Sequence, residues 1–386
     1  MTVTLGSQRG LFKIPDEVAY LNCAYMSPQL RVVREVGERA VARKSQPWEV
    51  TPQDFFEDSE KARELFAEIV GGEADGVAII PSVSYGMAVA ARNVLVEAGQ
   101  SIVVLDEQFP SNVYPWRELA KRARAELITV PRPADHDWTS AVLEHLDEST
   151  AVVAVPNCHW TDGSFLDLRR VGERARELGA ALVVDAIQSL GAYPLDVSEV
   201  RPDFLVAGSY KWLLGPYGIG FMYVGEEHRE GDPIEHNWIN RRGSEDFSKL
   251  VQYEDAFQPG ARRFDVGERS NFILLPMANE ALRQVLAWGV DNIAETLKAL
   301  TARIGDEARG LNIRVVPAER RAGHMIGLDL GPEAPRDLAA RLARENVFVS
   351  VRGRSLRVSP HLYNTERDVG RLFDSLTRHA RSGGVG

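Results

Sequence analysis

Cysteine is almost missing from this chain: two residues, Cys23 and Cys158, among 386. They form no CxxC pair and no metal-ligand spacing, which excludes a disulfide framework and leaves no metal to expect. Two reduced thiols fit a cytoplasmic protein. Long apolar runs are missing too: none reaches the roughly 18 residues that a helical membrane span needs. The opening stretch, MTVTLGSQRGLFKIPDEVAY, has neither an apolar core nor a small-residue cleavage pattern, so no signal peptide is expected. Basic residues fall short of acidic ones, 45 against 55, for a formal net charge of −10. That balance argues against nucleic acid or an anionic membrane as partner. No G-x-G-x-x-G follows a candidate strand and no Gly-Lys-Ser/Thr phosphate loop occurs, so nucleotide chemistry has no support.

What the chain has is alternation. Short apolar runs rich in β-formers recur at 77–80, 102–105, 127–130, 151–155, 181–184, 204–207 and 219–224. Most are apolar on both faces, as strands covered by helices on each side must be. Helical patterns at 86–97, 113–125 and 166–178 separate several of them. The expected fold class is therefore α/β: a mostly parallel seven-stranded sheet with helices on both faces. The last two runs are about a dozen residues apart with no helical pattern between them, so that pair is expected to be antiparallel. Beyond 265 the texture changes to a smaller α+β unit. Residues 271–309 read as one long helix, with Leu282, Val285, Leu286, Ile293, Leu297, Leu300 and Ile304 at helical spacing. Strands are expected at 313–316, 325–330 and 347–351, and helices at 336–345 and 366–379. The expected division is 1–20 as a segment packing on the small unit, 21–265 as the large unit and 266–386 as the small one. Residues 226–265 are polar and irregular, suited to a binding loop, and the tail 381–386 is expected to fray.

Four features fall just past candidate strand ends, where open α/β sheets bind ligands. Asp185 and Gln188 follow one run, in ALVVDAIQSLG. A carboxylate there needs a cationic or hydrogen-bonding partner. Lys211 follows the next, in AGSYKWLLGPYGIG, and an amine in an apolar setting is a nucleophile suited to a Schiff base with an aldehyde. Ser82, Val83 and Ser84 open an alanine-rich helix after 77–80, a ready anion site. Phe109, in DEQFPSNVYPW, can lay its ring on a planar ligand. Lysine for an aldehyde, acid for a ring nitrogen, helix N-terminus for a phosphate and an aromatic face together describe a site for pyridoxal 5′-phosphate (PLP).

The stretch VVDAIQSLGAYPLDV…PDFLVAGSYKWLLGPYGIGFMYV resembles the class V aminotransferase family of fold-type I PLP enzymes, which includes cysteine desulfurases, kynureninases, isopenicillin N epimerase-like proteins and C–S lyases. The resemblance runs from YLNCAYMSP to LRVSPHLYNTERDV. It implies that Lys211 carries the cofactor aldehyde, that Asp185 meets the pyridine nitrogen and that Gln188 lies beside the phenolic oxygen. Val83, Ser84 and Tyr210 are implied at the phosphate and Phe109 over the ring. Arg357 is implied as the grip on the substrate α-carboxylate, with Asn22, Tyr25 and His159 as further substrate contacts. A homodimer is implied, in which Ser270 or Asn271 of GERSN, rather than Glu268, reaches a neighbouring subunit's phosphate. The chain departs from the desulfurases in having no cysteine after Cys158. The activity implied is a PLP-dependent lyase of the C–S or β/γ-elimination type acting on a small amino acid. The alternatives are an aminotransferase and, further off, a non-catalytic PLP sensor.

Overall fold

In the computed structural model, which describes residues 2–331 and 335–382, thirteen strands form three sheets. They are β1 (Ala19–Tyr20), β2 (Val77–Ile80), β3 (Ser101–Leu105), β4 (Glu126–Val130), β5 (Thr150–Pro156), β6 (Ala181–Asp185), β7 (Phe204–Gly208), β8 (Gly220–Val224), β9 (Arg314–Val315), β10 (Ile326–Asp329), β11 (Val347–Phe348), β12 (Ser350–Arg352) and β13 (Ser355–Val358). The large sheet has the order β2-β8-β7-β6-β5-β3-β4. All of its neighbours pair in parallel except β8, which runs against both β2 and β7. The short 208–220 connection forces that reversal, because a parallel return needs a crossover of a dozen or more residues, usually helical.

The apolar runs become strands because both of their faces are covered. Ile79, Val103, Val153, Val184 and Leu205 enter one buried cluster, and their neighbours Ala78, Ile102, Val152, Val183 and Val206 enter the other. Burying each large aliphatic side chain contributes about 1.5–3 kcal/mol. On the second face lie helices Val83–Asn93 and Tyr114–Ala123. On the first lie Glu57–Val70, Leu168–Glu177 and Leu274–Trp288. Edge strand β2 is pinned by a buried ion cluster. Asp265 accepts from Ile79 N at 2.7 Å and from Arg269 at 2.6 Å, and pairs with Arg63 through both carboxylate oxygens.

A third cluster holds Ile304, Ile326, Leu356, Val358 and Leu372 together with Ala19 and Leu21 of the opening segment. There β1 pairs in parallel with β11. Two expectations are corrected. The helix expected over 271–309 is two, Leu274–Trp288 and Val290–Gly310, broken at Gly289 with φ +77°, a backbone state that ends a helix. The strand expected over 347–351 splits into β11, which pairs with β1, and β12, which pairs with β13. Leu274–Trp288, just beyond the boundary expected at 265, packs its apolar face into the large sheet's cluster. Of the tail 381–386, residues 383–386 lie outside the described residues, and the last helix, Glu366–Ser382, runs through 382. Among the described residues, no helix is long and apolar enough to cross a membrane.

Candidate active site

Register brings the site together. Pro156 of β5 stands opposite Asp185 of β6, and Asp185 opposite Val206 of β7, so these strands end level. Asp185 closes β6 and is 4% exposed; Lys211 follows β7 by three residues and is 6% exposed. Burial pushes the Asp185 carboxyl up, opposed by the Ile187 N–H at 3.1 Å and by Lys211. Burial pulls the Lys211 amine down, with the Arg357 charge adding to the fall and Asp185 opposing it. The Lys211 Nζ lies 5.6 Å from the ring centres of both Phe109 and Tyr210. Apolar walls and a cation on one side thus keep the amine ready to lose its proton.

Gln188 has both ends of its amide committed. Its Oε1 accepts from Trp212 Nε1 at 3.3 Å and its Nε2 donates to Ala24 O at 3.2 Å. Trp212 can only donate and a carbonyl only accept, so the amide orientation is fixed and one N–H stays free. His324, fully buried, donates to the Gln188 backbone carbonyl at 2.6 Å and meets the Trp212 ring edge-on at 4.5 Å. Val83 and Ser84 begin the Val83–Asn93 helix. The Ser82 hydroxyl caps Tyr85 N at 3.2 Å and lies 2.9 Å from the Ser84 hydroxyl. The first helical N–H groups have no intrahelical acceptor, which leaves Val83 and Ser84 free to face an anion. Tyr210 is half-buried against Tyr217, and burial pushes its phenol up to about 12.

Phe109, Asp185, Ile187 and Gln188 line one cleft together with Cys158 and Trp160. Arg357, on β13, is 1% exposed. It donates to Trp160 O at 2.7 Å, and its Nε has no hydrogen-bond partner. Burial, then the Arg352 charge, lowers its guanidinium to about 9. The opening segment clamps the lysine loop. Ser27 donates its N–H (3.0 Å) and its hydroxyl (3.1 Å) to Tyr210 O, and the Cys23 thiol faces Lys211 O at 3.8 Å. Asn22 spends its Oδ1 on the Ser350 hydroxyl at 2.9 Å, whereas Tyr25 is 55% exposed.

Three expected residues make their contacts away from Lys211: His159, and Ser270 and Asn271, the last two expected at a neighbouring subunit's phosphate. The His159 ring stacks on Trp138 at 5.3 Å and is engaged at Nδ1 by Thr161 (2.8 Å) and at Nε2 by Asp106 O (3.1 Å). Its neighbour Trp160 lines the cleft instead. Ser270 donates to Phe55 O at 2.8 Å, and Asn271 Oδ1 accepts from Leu274 N at 2.9 Å. Both line a separate cavity with Trp238, Glu268 and Arg43. Sequence reasoning missed Trp212, His324 and Arg352. The position of Trp212, next to Lys211, and the three arginines of SVRGRSLRV were the available signals.

The family model described as Aminotransferase class-V matches residues 42–372. The uncharacterized aminotransferase YcbU of Bacillus subtilis (strain 168) is 29% identical over 329 residues, 84% of each chain. The apo cysteine desulfurase from Thermococcus onnurineus NA1 matches with a TM-score of 0.85 at 19% identity, over 99% of this chain and 100% of that one. A lysine mutant of the cystine C–S lyase C-DES, with glycine covalently linked to its PLP cofactor, matches with a TM-score of 0.84 at 19% identity, over 98% and 100% of the two chains. At such identities the two structures speak for the fold.

Proposed function

The chain belongs to the Aminotransferase class-V family, and from that premise we propose that it is a PLP-dependent enzyme acting on a small α-amino acid, a lyase of the C–S or β/γ-elimination type. The observation that carries the reading is the buried Lys211 amine set electrostatically against the buried Asp185 carboxylate at level strand ends. The donor set fits the cofactor: an amine for its aldehyde, a carboxylate for its ring nitrogen, the free Gln188 N–H for its phenolic oxygen, the Val83–Asn93 N-terminus and Tyr210 for its phosphate, and the Phe109 ring for its face. Bound there, PLP supplies an electron sink for the pair left at the substrate Cα.

The chain's own residues do the rest. Arg357 holds the α-carboxylate, anchored by the Trp160 carbonyl, and so fixes which Cα bond faces the ring. Lys211 Nζ, its pKa pulled down to about 7 by burial, takes the Cα proton. Cys23 and Cys158 are both buried thiols with raised pKa, so neither supplies the exposed nucleophile a desulfurase needs. Aminotransfer is the second reading, favoured by the name of the Bacillus relative. The units 21–265 and 266–386 belong to the same proposal, the first presenting Asp185 and Lys211 and the second Arg357, with 1–20 riding on the second through β1. So do a cytoplasmic location, resting on the two free thiols, and a homodimer in which Ser270 or Asn271 serves the neighbour.

The test is direct. Purified with PLP, the protein is expected to be yellow, and borohydride to fix a pyridoxyl group on the Lys211 peptide, read by mass spectrometry. Lys211→Ala is expected to carry no label there and to lose turnover by on the order of 10²–10⁴. Keto acid released without an added acceptor supports the lyase; turnover only with a keto-acid acceptor selects the aminotransferase. Full-rate turnover by Lys211→Ala overturns both.

A further inference from the structure

Arg352 and Arg357 sit on the same side of the small sheet. Ser350 pairs with Arg357, and Arg352 lies two residues along β12, which returns its side chain to the same face. Diagonal neighbours of this kind are roughly 7–8 Å apart. Arg352 lies over the Trp160 ring, its guanidinium carbon 5.6 Å from the ring centre, and donates only to its own neighbour, Val351 O. Trp160 is thus held by one arginine on its face and by the other at its carbonyl, and it meets Phe109 edge-on at 5.4 Å. The wall therefore runs from Lys211 through Phe109 and Trp160 to Arg352.

Beyond it opens a cleft of about 290 Å³ that Arg352 shares with three other arginines. The acids of this cleft are already committed. Glu107 and Asp162 pair with Arg132 at 2.8 and 2.6 Å, and Asp329 pairs with Arg314 at 2.8 Å and Arg354 at 3.7 Å. Among the described residues, Arg352 is the arginine of the cleft with no carboxylate partner. A half-buried guanidinium stacked on an aromatic ring and lacking an acid is built for planar recognition of an anion.

We propose that the substrate carries a second anionic group on its side chain, and that Arg352 receives it while Arg357 holds the α-carboxylate. The inference rests on the reading of Lys211 as the PLP-bearing residue and narrows it to acidic amino acids.

The test compares kcat/KM of the PLP-loaded protein for pairs matched in leaving group, S-carboxymethylcysteine against S-carbamoylmethylcysteine for elimination, and, with a keto-acid acceptor present, aspartate against asparagine and glutamate against glutamine for aminotransfer. At least one acid is expected to exceed its neutral counterpart by on the order of 10- to 100-fold. In Arg352→Gln that ratio is expected to fall to about threefold or less, and in Arg352→Lys to fall only in part. A second arm titrates glutarate calorimetrically into the same proteins with and without PLP, and binding to Arg352→Gln is expected to be on the order of tenfold weaker. Neutral amino acids handled as well as acids overturn the proposal. So does an equal loss for both classes in Arg352→Gln, which would mean both arginines share one carboxylate, or glutarate binding that ignores the substitution. Failure of the parent reading shows separately, as absence of the borohydride label on Lys211.

Discussion

Lys211 keeps a cation-forming group where water is excluded, and the residues around it set the sign of that burden. Phe109 and Tyr210 offer faces, Arg357 and Arg352 repel, and Asp185 attracts more strongly than Cys23 does. A second buried group behaves the same way with no partner at all. His361 is 0% exposed, neither ring nitrogen has a hydrogen-bond partner, and its ring stacks on Tyr363 at 5.7 Å. Burial, reinforced by His324, pulls its pKa to about 3, and burial pulls that of His324 to about 4. Both histidines are neutral when folded, while the unfolded chain takes up their protons below about pH 6.5. The unfolded state then binds more protons, so this stability is fully present above pH 6.5 and drains as the pH falls toward 4. By pH 4.5 each histidine is expected to cost roughly 2–3 kcal/mol. His361→Phe keeps the ring stack and removes that burden. Urea unfolding at pH 7.5 and 4.5 is expected to show a smaller loss for the variant than for the wild type by about that amount.

The elements that carry the site are held apart by bare backbone as much as by side chains. Gly191, in the loop after Asp185, has φ +97°, and a Cβ there would lie 2.6 Å from Trp212 O, one residue past the lysine. Gly191→Ala is expected to cost about 2–4 kcal/mol, from strain and clash together. Because the loop it pushes carries Lys211, borohydride labelling should fall with it; unaltered unfolding and labelling would show that the loop yields freely. The strands were legible in the sequence because β5, β6 and β7 are buried on both faces and so read as unbroken apolar runs. Asp185 and Lys211 stood out because a charge directly after such a run has to be accounted for. The break at Gly289 was hidden, since Leu282, Val285, Ile293 and Leu297 keep helical spacing across it. The fates of His159 and Arg352 were hidden for a different reason. Trp138 lies 21 residues from His159 in sequence, and Trp160 lies far further from Arg352, so what each ring faces is decided by tertiary packing alone.

For the molecule as a whole, the proposed dimer has a place to form. Phe55 packs edge-on against Phe247, Phe272 and Trp238, and Trp238 remains 39% exposed beside the cavity that holds Ser270 and Asn271. The protein is expected to run in light scattering at twice its 42.8 kDa chain mass. Trp238→Glu is expected to halve that mass and to weaken PLP retention on the order of tenfold or more, because a charged group in an apolar contact has to be desolvated. A monomeric wild type that holds PLP tightly would remove the second subunit from the site. The reversed strand β8 has a consequence for how the chain comes into being. Among the described residues, edge strand β2, residues 77–80, has β8 as its sole neighbour in the large sheet, and β8 begins only at residue 220. A ribosome needs on the order of ten seconds to make the intervening stretch. During that interval the strand VAII dangles without its sheet mate, exposed to chaperones and to other nascent chains, and the proposed anion cradle at its end is seated only after the lysine has already been translated.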